Sequence, residues 1–250
     1  KSVSGVNAVR LCHYQHAQYF YDLCDHAGIA VWAELCFVNN PPQTQAGQDN
    51  AKQQLIELIR QNYNHPSIFF WSIGNEIAWQ SPGANSVIGK ELAAIVHSAD
   101  PTRPVTAACR DGRAMDNGFS TILDAMGFNY KPDNYVRFHQ RFTNQFFFAT
   151  ETSSTISSRG EYFFPVTSQP FGMVNGRSRN GQPNGSQDDT NHQMSSYDLY
   201  HPGWATTPEH EFFGQDHTPA VAGEFVWTGF DYIGAPTPWG GGNDPSRSSY

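Results

Sequence analysis

Positive charge is scarce in this chain: 15 lysines and arginines stand against 23 aspartates and glutamates in 250 residues, a formal net charge of −8. A surface of that sign does not offset a phosphate backbone, so no nucleic-acid partner is expected. Charged residues of both signs together make up only 15% of the sequence, below the usual quarter or so. That shortage fits a ligand met through neutral polar and aromatic groups, or a piece of a larger molecule with buried faces. Long apolar runs are also missing. None approaches the roughly 18–20 residues that cross a bilayer, and the opening Lys1 to Arg10 has neither an apolar segment nor a small-residue cleavage site. A soluble protein with no membrane partner is expected, its compartment left open. The four cysteines, Cys12, Cys24, Cys36 and Cys109, form no CxxC pair and have no histidine at zinc-finger spacing, so each reads as a buried thiol.

What is present is enough for a core, with 38% apolar and 14% aromatic residues. Apolar runs of strand length recur at 7–14, 29–35, 68–76, 103–109, 125–130, 145–151 and 220–230. Helical periodicity lies between the early ones: His16 to His26 ahead of Gly28, Asn50 to Tyr63, and Ser86 to Ser98. The runs are continuously apolar rather than alternating, which marks strands covered on both faces, as in a parallel sheet wrapped by helices. Seven such units are one short of a (β/α)8 TIM barrel. The expected architecture is therefore α/β, a single barrel domain over 1–250 that is incomplete because strand one is missing, read as a piece of a longer polypeptide. A long loop insertion is expected at about 165–219, rich in Pro, Gly, Asn, Gln and Ser.

In a parallel barrel the chemistry gathers where strands finish. Two of the runs end in a carboxylate: Ile68 to Glu76 closes on Gly74-Asn75-Glu76, and Gln145 to Glu151 closes on Glu151. Two carboxyls across one mouth are what glycoside hydrolysis needs, one to protonate the leaving oxygen and one to attack the anomeric carbon. A single strand-end glutamate is more often a cap or a surface ion pair. Glu224 rivals Glu151, but it precedes Phe225-Val226-Trp227 and so falls inside its strand rather than at the end.

Asn64-His65-Pro66-Ser67-Ile68 followed by Trp71-Ser72-Ile73-Gly74-Asn75-Glu76 resembles the signature of glycoside hydrolase family 2. Further motifs are similar to that family in the same order: Asn7-Ala8-Val9-Arg10 with His13-Tyr14, Met126 to Tyr130, Glu151-Thr152-Ser153-Ser154 with Ser157-Ser158-Arg159-Gly160, and Gly223-Glu224-Phe225-Val226-Trp227 through Tyr232. The later ones resemble its bacterial β-galactosidase branch. The resemblance implies a retaining exo-glycosidase of terminal β-galactosides, with β-glucuronidase, β-mannosidase or a catalytically dead sugar-binding remnant as alternatives. It makes Glu76 the general acid/base, raised in pKa by burial and by the second carboxylate, and Glu151 the nucleophile, kept ionised by donors from Arg10 and Tyr130. Asn75 would bond the sugar 2-hydroxyl, and His13 and Trp227 would line the glycone pocket. Glu34 would support the site from behind.

Blander roles stay open. Arg10 on a buried strand needs a carboxylate in any case, His13 fits a core histidine, Trp227 fits packing, and Tyr130 fits a loop anchor. Two departures from the long-chain enteric type matter. After Glu34 comes Leu35-Cys36 rather than the Glu-x-His pair that holds magnesium there, and Ser154 stands where that type has a histidine for the galactose 6-hydroxyl. No cofactor or metal is therefore expected. Tyr197, Tyr200, Trp204, Phe212 and Phe213 are read either as an aromatic wall on the aglycone side or as packing of the insertion. The resemblance also implies β-sandwich domains elsewhere in the full-length protein.

Overall fold

The computed structural model describes residues 4–39, 42, 44–77, 84–110, 112–162, 173–174, 195–197, 201–202 and 204–230. Most of the expected insertion, Tyr200, and the end of the last motif at Asp231-Tyr232 lie outside them. The strands are β1 (Ala8–Leu11), β2 (Ala30–Glu34), β3 (Ile68–Asn75), β4 (Val105–Cys109), β5 (Ala125–Asn129), β6 (Phe146–Ser153), the short β7 (Met173–Val174) and β8 (His201–Pro202), and β9 (Val221–Trp227). The helices are α1 (Gln18–Ala27), α2 (Gln45–Asn62), α3 (Ala84–Ala99), α4 (Arg113–Asp116), α5 (Tyr135–Arg141) and α6 (Pro208–Asp216). Seven strands form one sheet in the order β1-β2-β3-β4-β5-β6-β9, and β7 pairs with β8. β1 through β5 pair in parallel, and a helix follows each strand of the sheet before β9. Among the described residues that is the (β/α)8 pattern one strand short, as the sequence predicts.

Local chemistry sets the helix ends. Gly28, at φ 60°, closes α1 in the left-handed conformation that glycine adopts without steric cost. Thr44 caps α2 by accepting the Gly47 N–H at 3.2 Å. α2 consequently begins at Gln45, five residues before the apolar periodicity becomes visible at Asn50. Residues 208–216, expected to be irregular, form α6: Thr207 is its N-cap and Pro208 stands in its first turn, where a missing N–H costs nothing. Among the cysteines, Cys24 and Cys109 are buried as expected, whereas Cys12 is half-buried and Cys36 exposed. Leu35 and Phe37 flank Cys36 and are the side chains that turn inward there. No helix among the described residues is long and apolar enough to cross a membrane.

Contacts group the chain into two units, 1–129 with 137–150, and 130–136 with 151–250. In the first, every residue of β4 and β5 is buried, as continuous apolar runs require, and Leu55, Ile59, Leu92 and Val96 from α2 and α3 are packed out of solvent. Side chains two apart on a strand share a face. On one face Trp32, Phe70 and Phe148 form a ring cluster with centroids 5.1 to 6.2 Å apart. Two residues further along the same strands stand Glu34, Ser72 and Thr150, so a polar layer sits one step toward the strand ends from the aromatic layer. On the opposite face Trp71 donates its indole N–H to Asp100 at 2.8 Å. In the second unit Glu211 of α6 is buried against Thr206, Tyr135 and the Ser153 backbone at the end of β6. β9 is half-buried, with Ala222 and Val226 exposed.

Candidate active site

Glu34 anchors the polar layer of the first unit. It is fully buried, and both of its oxygens are taken: Oε2 accepts from Arg10 Nε (3.0 Å), Trp32 Nε1 (3.1 Å) and Ser72 Oγ (3.0 Å), while Oε1 accepts from Arg10 Nη2 (2.9 Å) and pairs with His13 Nδ1 (2.7 Å). Burial pushes its pKa up, but the Arg10 charge and the His13 bond outweigh that and hold the carboxyl below its usual range. The Arg10 side chain is only 2% exposed. Besides Glu34 it donates to the Thr150 carbonyl at 3.1 Å and to Asn75 Oδ1 at 2.8 Å. Asn75 Oδ1 also accepts from Asn129 Nδ2 at 3.0 Å, and the same amide nitrogen reaches Glu76 Oε1 at 3.1 Å. Asn129 Oδ1 in turn accepts from Thr150 Oγ1 at 2.8 Å. An unbroken line of hydrogen bonds thus runs from Glu34 to Glu76.

The end of β3 is shaped for this. Its register against β4 slips between Ser72, which faces Thr106, and Asn75, which faces Ala108, so β3 carries one extra residue there. Such bulges bend a strand and re-aim side chains, and they recur beside active sites. Gly74 lies in the bulge at φ 148°, and a Cβ on it would stand 2.6 Å from the Phe37 carbonyl oxygen. Glu76 follows at φ 54°, a left-handed conformation that costs a non-glycine residue about 1–3 kcal/mol and persists only where its surroundings over-determine it. Its N–H donates to Ala108 O at 2.7 Å, and its carboxyl meets Asn129.

In the second unit Glu151 is 5% exposed, near the end of β6. Its carbonyl accepts the Tyr130 N–H at 2.7 Å. Tyr130 is at φ 53°, and Ser153 and Ser154 are at 65° and 69°, so strained residues stand at and just after both strand ends. The Tyr130 ring meets Trp204 edge-on at 4.9 Å. Lys131 Nζ donates to the carbonyls of Tyr130 (3.0 Å) and Trp204 (3.1 Å). Glu224 lies in mid-strand, as its position predicts, accepting from Thr152 Oγ1 at 3.2 Å and Gln215 Nε2 at 2.9 Å. Trp227 ends β9, half-buried.

The structure brings Arg10, His13, Glu34, Asn75 and Glu76 of the first unit together, and places Glu151, Tyr130 and Trp227 in the second. Sequence reading missed Asn129, Ser72 and Thr150. The signal for Asn129 was there, a lone amide closing a buried apolar strand beside Tyr130. Of the five proposed wall aromatics, Tyr197 packs on Tyr162 (5.3 Å) and Trp204 on Tyr130. Phe212 and Phe213 are exposed on α6.

The profile of the family described as "Glycosyl hydrolases family 2, TIM barrel domain" matches residues 2–239. The chain belongs to glycoside hydrolase family 2. This family 2 chain is 31% identical to "Beta-galactosidase BoGH2A" of Bacteroides ovatus, over 98% of its own length and 32% of that protein. It is 35% identical to a "Beta-glucuronidase" of Bacteroides fragilis, over 91% of its length and 31% of that protein. A solved family 2 member from Bacteroides cellulosilyticus superposes on 91% of the chain and 24% of its own with a TM-score of 0.63 at 26% identity. The family 2 chain therefore spans about a third of the length of the curated relatives it matches.

A magnesium ion held as in the enteric type would need lone pairs on Glu34. Five donor contacts already cover its two oxygens, so the residues around Glu34 do not fit a cation. Asp22, Asp25 and His65 also converge within 4.8 Å. Asp25 there bonds His65 (2.7 Å) and the Ser67 N–H (2.9 Å), ahead of the start of β3 and so at the opposite end of that strand from Glu76.

Proposed function

We propose that this chain is the catalytic part of a retaining exo-β-glycosidase that removes terminal β-galactosyl residues, working without a metal and, in the full-length protein, alongside further domains. Glu76 gives its proton to the glycosidic oxygen as the C1–O bond breaks. Glu151 attacks C1 and forms a glycosyl ester, and the aglycone leaves as the alcohol. Water then displaces Glu151 while Glu76 takes its proton, which restores both carboxyls. Retention calls for about 5–5.5 Å between the two groups.

The observation that carries this reading is the fixed orientation of Asn75. Arg10 can only donate, so the atom it touches is Oδ1, and Asn129 occupies the same oxygen. The Asn75 Nδ2 is left as the donor for a sugar 2-hydroxyl, beside a carboxyl already anchored by Asn129. Arg10 positions this pair by its direct bond to Asn75, Glu34 and His13 hold Arg10 in place, and Tyr130 and Trp227 serve the glycone side. The likeness to a β-glucuronidase favours a second glycone, a glucuronide. Against it, Arg10 already faces Glu34, and Lys131 binds two carbonyls, whereas a glucuronate carboxylate calls for a cation.

Replacing Glu151 by Gly, or Glu76 by Ala, should lower hydrolysis of an aryl β-galactoside by at least about 10²-fold. Azide should rescue the Glu151 variant with an inverted glycosyl azide and the Glu76 variant with a retained one. Near-complete activity in either variant overturns the assignment, and sugar binding by calorimetry without turnover in the unaltered protein supports the inactive remnant instead.

A further inference from the structure

Asn129 has its whole hydrogen-bonding capacity fixed by its neighbours. Arg10 has no acceptor, so Asn75 presents Oδ1 to it; Asn129 must then present Nδ2 to that oxygen, and its second N–H points at Glu76 Oε1, 3.1 Å away. Asn129 Oδ1 consequently needs a donor, and Thr150 Oγ1 supplies it at 2.8 Å. Asn129 is fully buried and Thr150 is 1% exposed, so no solvent competes for these bonds. Gly127 leaves the room: a Cβ there would stand 2.6 Å from Thr150 Cγ2 and 2.9 Å from its Oγ1.

We propose that Asn129, locked by the Thr150 hydroxyl, is a positioning residue that decides which oxygen of Glu76 carries the transferable proton. An oxygen that accepts an amide N–H keeps its lone pair directed at that donor, so Oε1 stays unprotonated and the proton resides on Oε2. From Oε2 it passes to the glycosidic oxygen as the bond to C1 breaks, and the same oxygen later receives the proton of the attacking water. Thr150 acts through Asn129 and touches no reacting atom. This rests on the reading of Glu76 as the acid.

The test uses the full-length protein and a series of aryl β-galactosides running from 2,4-dinitrophenyl, whose leaving group needs no proton, to phenyl, whose leaving group does. Thr150→Val removes the hydroxyl and keeps Cγ2. It should lower kcat/KM on the phenyl substrate about tenfold or more and on the dinitrophenyl substrate no more than about twofold, and Thr150→Ser should recover most of the loss. If the valine variant does not fold, Asn129→Ser is read on the same series. Equal losses across the series, or none, overturn the proposal. Glu76→Gln on that series separates the two claims: if it discriminates between leaving groups and Thr150→Val does not, only the positioning role falls, and if Glu76→Gln does not discriminate, the acid assignment itself falls.

Discussion

Glu211 is a carboxyl cut off from water in α6. It accepts from Thr206 Oγ1 at 2.6 Å and from Tyr135 OH at 3.1 Å. Burial is the largest influence on it and the charge of Glu224 adds to that; the hydroxyl bonds counter only in part, and its pKa is pushed up to about 7. Burial, with the Glu211 carboxyl against it, pushes the Tyr135 phenol up. The consequence for stability has a definite sign. A carboxyl with a folded pKa near 7 and an ordinary value of 4.5 binds its proton more tightly in the folded state. Its contribution is complete below the ordinary value and is lost as pH rises toward 7, by about 3 kcal/mol at most. Glu211→Gln removes that loss. The variant's thermal midpoint should gain on wild type by several degrees between pH 5 and pH 8, read by calorimetry, and parallel pH curves for the two proteins would contradict the assignment. Nothing in the sequence near Glu211 announces this. Its burial depends on Tyr135 and Thr206, distant from it or unremarkable in sequence, whereas Glu76 and Glu151 stand out as candidates because each closes an apolar run.

Among the elements, β3 shows where sequence reading stops. Its extent was readable, since a continuous apolar run marks a strand covered on both faces, and the expected 68–76 differs from the observed strand by one residue. The extra residue between Ser72 and Asn75 was not, because register belongs to a pair of strands rather than to either sequence alone. The start of α2 was hidden for a related reason: its first turn is polar and is fixed by the Thr44 cap. The bulge makes Gly74 a testable hinge of the site. Gly74→Ala would press a Cβ onto Phe37 O at a backbone angle that glycine alone tolerates. We expect it to lower the unfolding free energy by about 1–3 kcal/mol. It should also lower kcat more than tenfold, because a shift of about 1 Å in Asn75 and Glu76 is enough to cost 10²-fold. Gly118→Ala is the control: it meets the same kind of backbone strain, at φ 82°, with nothing within 4 Å. It should destabilise without lowering kcat, and an equal loss of kcat in both variants would count against the role of the bulge.

For the whole molecule, chain order alone carried the sheet. Strands that follow one another through helical crossovers become neighbours, and the order β1 to β6 then β9 is the one the seven apolar runs suggest. Composition said less about the ligand, and charge is where the two possible glycones part. The chain holds an excess of eight negative charges. Its buried arginine at the candidate site is matched by Glu34 at 2.9 Å, so the most prominent cation there is already neutralised. A galactoside brings no charge to such a place. A glucuronide brings a carboxylate that must be desolvated, and where the cation it meets is already matched, as Arg10 is by Glu34, this penalty exceeds that of a neutral hydroxymethyl group. With a common aryl leaving group, kcat/KM should therefore favour the β-galactoside at least about tenfold, equivalent to about 1.4 kcal/mol of transition-state stabilisation. The salt dependence should separate in the same sense. The galactoside should be indifferent to ionic strength, while the glucuronide should improve between about 0.01 and 0.15 M as the Debye length shrinks from roughly 30 to 8 Å and like charges are screened. A glucuronide preference that weakens with salt would mean that a cation outside the network described here receives the carboxylate, and the glycone would then have to be reassigned while the two-carboxylate chemistry stood.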